Sequence, residues 1–159
     1  MANDFYTSAG SSVAVSAALP ATEDQAGYEL LTFTDVGGFL TLDDSGDTFT
    51  DVAVDFMNDR RTKHKKGQKD GGNPNLTCTF MVSDAGQAIL EAALASDCDI
   101  SIKITLNDTP CNGGITPTVL YKEIQVMSDL RTGLGGPNNP LGRTFNLMVN
   151  SNTVQVDAA

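Results

Sequence analysis

Between Asp99 and Leu106 the chain reads Asp-Ile-Ser-Ile-Lys-Ile-Thr-Leu, with an apolar residue at every second position. Successive side chains of an extended backbone point to opposite faces, so this segment is a strand with one buried face and one wet face. The pattern recurs. Over 50–58, Val52, Val54 and Phe56 alternate with Asp51, Ala53, Asp55 and Met57, which predicts a half-buried strand with an acidic outer face. Leu76, Cys78, Phe80 and Val82 alternate with Thr77, Thr79 and Met81. Further short strands are expected at 28–36, 39–42, 118–127, 143–150 and 153–156, separated by clusters of Gly, Asp, Asn and Pro that form turns.

One stretch has helical period. Ser83 offers an N-cap and Asp84 suits the first turn, after which Ala85, Ile89, Leu90, Ala92, Ala93 and Leu94 form an apolar stripe to about Ser96. Gly86 inside it costs ~1 kcal/mol relative to alanine. Many short strands and one helix predict a mainly β fold, a β-sandwich or barrel with one flanking α-helix, in a single domain over 1–159. Residues 1–27, rich in Ala, Ser, Asn and Gly, read as a flexible arm holding one weak strand at Val13 and Val15.

The charge is unevenly placed. Arg60, Arg61, Lys63, Lys65, Lys66 and Lys69 are six of the ten basic residues, accompanied over 59–72 by only two acids, Asp59 and Asp70. The other four bases are set against eighteen acids, and the whole chain carries a net charge of −10. Free negative charge on this scale repels phosphate backbones and anionic membranes. Residues 59–72, ended by glycines, are expected to be a basic loop at the tip of a long hairpin between the strands at 50–58 and 76–82. A solvated surface and a nucleic-acid patch are the rival readings of that loop, the latter lacking the interleaved aromatics such patches use. Contact with the acidic body of another copy fits better, and such head-to-tail contacts propagate as rings or filaments.

No catalytic constellation emerges, and no cofactor or metal is expected. The single histidine, His64, lies within the lysine run and lacks a preorganised partner in sequence. Asp43/Asp44 and Asp97/Asp99 lack the EF-hand spacing. The glycine runs at 71–72 and 133–136 lead to Pro74 and Pro137 instead of a helix with Lys-Ser/Thr, so neither is a phosphate loop. Cys78, Cys98 and Cys111 form an odd set without CxxC spacing, which suits a reducing compartment. The first residues lack a signal-peptide pattern and no apolar run is long enough to cross a bilayer, so synthesis in the cytoplasm without membrane insertion is expected.

The succession Gly67-Gln68-Lys69, Gly72, Thr77, Met81, Gly86-Gln87 and Leu90 resembles the major tail tube proteins of long-tailed, non-contractile phages of the lambda type. The likeness is clearest over 43–95 and looser elsewhere. It implies a virion structural protein and not an enzyme. It also implies a tail-tube-like sandwich or barrel, hexameric rings stacked into a hollow tube through which genomic DNA is ejected, and tail tip, tape measure and tail terminator proteins as partners. By the same resemblance the loop at 59–72 reaches the adjacent ring, with Arg60, Arg61, Lys63, Lys65, Lys66 and Lys69 making the inter-ring contact. The acidic face with Asp51, Asp55 and Asp59 is expected to line the lumen, where it would repel passing DNA. The alternatives are the tube of a contractile tail or type VI-like secretion machine, and a small nucleic-acid-binding module that uses the basic loop.

Overall fold

The computed structural model describes residues 5–111 and 113–159. In chain order the elements are β1 (Ser12–Ser16), α1 (Gln25–Glu29), β2 (Thr34–Asp35), β3 (Phe39–Leu42), β4 (Thr48–Val54) and β5 (Lys63–Asp70). There follow β6 (Asn75–Thr79), α2 (Ala85–Leu94), β7 (Ile100–Thr105), β8 (Val119–Thr132), β9 (Gly142–Val149) and β10 (Val154–Val156). The protein is mainly β and its sheets are antiparallel.

The main sheet runs β2-β1-β7-β8-β9-β6-β3, with β10 paired to the start of β8. Its end strands, β2 and β3, are consecutive in the chain. The link between them is bonded to both ends of the sheet: Val36 N donates to Val13 O at 2.9 Å, and Thr79 N donates to Gly38 O at 2.8 Å. The link 36–38 therefore brings the two ends of the sheet together and rolls it into a barrel-like wall.

Register decides what the wall encloses. Val13 faces Ile104 and Val15 faces Ile102. Ile124 lies between Ile100 and Val149, and Leu76 lies opposite Phe145. With Leu90 and Ala93 of α2, these aliphatic positions form one buried cluster. Each fully buried Leu, Ile or Val contributes roughly 1.5–3 kcal/mol by leaving water. A register shift between Val126 and Ser128 turns Asp129 inward beside buried Arg143. Arg143 Nε and Nη2 donate to Asp129 at 2.9 and 2.6 Å, and Nη2 also meets Glu91 at 2.8 Å, which ties α2 to β8 and β9.

The start of α2 is built from side chains. Asp84, not Ser83, is the N-cap; its carboxylate accepts from Gln87 N at 2.8 Å and from Gly37 N at 3.0 Å. Gln87, buried, donates to Gly37 O and Thr79 O at 3.0 and 2.8 Å, and its carbonyl accepts from Met81 N at 3.4 Å. Gly86 lies against the β2 backbone: a Cβ there would meet Asp35 O at 2.4 Å and Val36 Cα at 2.8 Å. The Gly86-Gln87 pair thus fixes the start of the helix against the wall.

Several sequence expectations need correction. Over 28–36 the chain first completes α1, capped by Asp24, and only Thr34–Asp35 is strand. There are therefore two helices among the described residues. Within 1–27, Ser12–Ser16 is not an arm: it lies between β2 and β7, with Val13 through Ser16 buried. β8 is longer than expected because it serves β7 and β10 with its first half and β9 with its second. The segment 50–58 is not half-buried, and 59–72 is not a loop.

Candidate assembly interface

β4 and β5 pair with each other and form a two-stranded sheet apart from the main one. All seven residues of β4 are exposed, and so are all of β5 except Gly67, which is half-buried. The alternation that sequence reading took for a core-facing strand is real, but nothing among the described residues covers it. Phe49, Val52, Val54, Phe56 and Met57 are all exposed large apolar side chains. An isolated two-stranded ribbon is marginal in water, and apolar residues gathered on one mark an interaction surface.

Pairing sorts the side chains onto two faces. Val52 lies opposite Lys65 and Val54 opposite Lys63, which gives a face of valines and lysines. On the other, Asp51 lies opposite Lys66, Ala53 opposite His64, and Phe49 opposite Lys69. There His64 Nδ1 meets Asp51 Oδ2 at 2.8 Å, and Lys66 Nζ stands 4.7 Å from the Phe49 ring centroid. At the base Lys69 reaches Asp47 at 2.6 Å and Asn152 at 2.5 Å. Gly72, with φ +88°, then turns the chain back into the body, a conformation that disfavours any side chain.

The residues expected to make the inter-ring contact fall in two groups. Lys63, Lys65, Lys66 and Lys69 are on β5, and Arg60 and Arg61 are in the turn at its tip. Lys63 is held by Asp59 at 3.0 Å. Hydrogen bonds from Lys63 and the Arg61 backbone keep the Asp59 carboxyl below its ordinary pKa. Among the described residues, the side chains of Arg60, Arg61 and Lys65 have no ion-pair partner. The basic segment therefore satisfies part of its charge on its own ribbon. Of the aspartates expected at the lumen, Asp51 is engaged by His64, Asp59 is engaged by Lys63, and Asp55 has no ion-pair partner among the described residues. Such exposed pairs are worth about 0–1 kcal/mol each, so they can be exchanged for an intermolecular partner at little cost.

Sequence reading missed the buried lysine beneath the ribbon. Lys122 points into the barrel, and its Nζ donates to Ser45 Oγ at 2.5 Å in the strand-to-ribbon link. Burial pushes its pKa down, while Asp47 opposes the shift. The signal was available: Lys122 occupies an inward position of β8, between Leu120 and Ile124 in the alternation. Among the described residues no group of three or more His, Cys, Asp or Glu is placed to hold a metal ion, and no helix is long and apolar enough to cross a membrane.

No family model and no curated protein matches the chain in sequence. Solved structures match it in fold. A chain of the anti-feeding prophage baseplate aligns over 99% of this chain and 98% of its own, with TM-score 0.71 and 13% identity. The SPP1 tail tube aligns over 92% of this chain and 76% of its own, with TM-score 0.67 and 13% identity. A chain of the sheath/tube terminator structure of PVC, an extracellular contractile injection system, aligns over 98% and 99%, with TM-score 0.67 and 12% identity. At these identities the likeness is one of fold: the chain has the fold found in tail-tube and tube-associated assemblies.

Proposed function

We propose that this chain is the structural subunit of a phage tail tube, which assembles with copies of itself as stacked rings around a channel for DNA. The carrying observation is the ribbon. Exposed Val52, Val54, Phe56 and Met57 and unpaired Arg60, Arg61 and Lys65 stand off a body whose own core is already closed. Intermolecular cover is the economical use for such a surface. The fold shared with the SPP1 tail tube supports tube assembly as that use. Within this reading the rings are hexameric, the basic ribbon straps one ring to the next, and tail tip, tape measure and terminator proteins bound the tube. If the ribbon faces the channel, Asp55 is the aspartate with free charge to repel DNA, and Asp55→Asn should then slow ejection. Unchanged ejection removes that role.

The test of self-assembly is sedimentation over a range of concentrations. Wild type should pass from a small species to a fast-sedimenting polymer, and a chain lacking 55–62 should stay small with an unchanged fold. A contractile machine is the second reading, favoured by the likeness to the PVC terminator chain; particles carrying this subunit would then show a sheath around the tube in micrographs. The nucleic-acid reading loses ground because the eighteen acids set against four bases outside 59–72 repel phosphate.

A further inference from the structure

Two uncovered apolar surfaces have matching chemistry. One is the ribbon face with Val52 and Val54, carrying Lys63 and Lys65 among the valines, with exposed Phe56 and Met57 in the tip beyond it. The other is a groove of about 400 Å³ along the outer side of α2, where β1 ends and β7 begins. Ala17, Ala88, Ile89, Ala92, Cys98 and Ile100 line it. Ala88 and Ala92 are one helical turn apart and exposed, so another backbone can approach the helix closely there. Asp97, exposed, lies in sequence between the lining residues Ser96 and Cys98, whereas the Asp99 carboxylate turns away to accept from Asn150 Nδ2 at 3.0 and 3.1 Å. The face that presents valines also presents bases, and the groove belongs to a body that carries eighteen acids against four bases outside 59–72, Asp97 beside the groove among them.

We propose that the α2 groove receives the Val52–Val54 face of the ribbon from a second copy of this chain, with Lys63, Lys65 and the tip arginines set against Asp97 and the acidic body around it. The inference rests on the self-assembly reading above and names the surface that reading leaves open. Each copy gives a ribbon from one surface and accepts one on another, so the contact is heterologous and propagates instead of closing in a pair. Charge complementarity sets the orientation, and burial of the valines against alanines and Ile89 excludes water. Lys63 leaves an exposed partner, Asp59, at little cost when it turns to the groove.

Cys98 lines the groove and is exposed, so it reports on the contact directly. In a Cys111→Ser background, Val54→Cys and separately Val52→Cys would be assembled and mildly oxidised. The expected result is a disulfide to Cys98 of another copy, read as a ladder of covalent multimers without reductant and abolished by Cys98→Ser. Ala92→Glu should raise the concentration threshold for assembly at least about tenfold, equivalent to 1.4 kcal/mol, with the monomer fold intact by circular dichroism. Assembled particles that give no ladder from either cysteine overturn the groove and leave the tube reading standing, as does folded Ala92→Glu assembling at the wild-type threshold. A chain that never self-assembles overturns both.

Discussion

Arg143 is a fully charged group inside a β-rich core, tolerated because Asp129 and Glu91 fill its hydrogen-bonding fork and the Phe145 ring lies 4.9 Å from its guanidinium carbon. Breaking such a pair strands the partner, so Arg143→Met should cost about 3–5 kcal/mol in urea unfolding. The bond from Arg143 holds the Asp129 carboxyl below its ordinary value. A carboxyl with a depressed folded pKa stabilises fully above its unfolded pKa, and that contribution disappears as pH falls through the folded value. Asp129→Asn should therefore flatten the acid limb of stability as pH falls from about 5 toward 2; an unchanged acid limb would show that the pair is not coupled to folding. Gly86→Ala supplies a second check. Helix propensity alone favours alanine by about 1 kcal/mol, whereas contact with the Asp35 backbone predicts a net loss of about 1–3 kcal/mol in the unfolding midpoint.

At the scale of elements, the strands that pack in the barrel were readable because burial of one face writes period-two alternation into the sequence, as at Ile100 through Ile104 and Leu76 through Cys78. The same rule misled at β4. Alternation records that one face is buried somewhere, and for Val52 and Val54 no described residue of their own chain supplies the cover. β5 escaped because a run of lysines has low strand propensity; it is a strand through its backbone pairing with β4, which the composition of the segment does not announce. α1 has only five residues and depends on its Asp24 cap and on Tyr28 stacking on Tyr121 at 5.0 Å, a tertiary contact with no local signal. The mixed faces of α2 were half legible: Leu90 and Ala93 enter the core, while Ala92 belongs to the outer groove. Reversing Arg60, Arg61 and Lys65 together to Glu should leave the unfolding midpoint within about 0.5 kcal/mol, since all three are exposed and unpaired, yet should abolish sedimenting polymer. Normal polymer from that triple variant would remove the ribbon's bases from assembly.

For the whole molecule, the rolled sheet and the ribbon divide the labour. The rolled sheet encloses an aliphatic core, whereas the ribbon has no cover among the described residues and, in the proposed tube, is left for a neighbour. In the proposed assembly the chain's net charge of −10 keeps free subunits apart at low salt, and the basic ribbon would provide the local attraction that overcomes it. The account turns on whether the purified chain, without DNA or other tail proteins, builds a tube. Electron microscopy of the concentrated protein is the direct measurement: stacked rings around a continuous central channel are the predicted result, and a species that stays monomeric at every concentration, even when offered a tail-tip initiator, would contradict it.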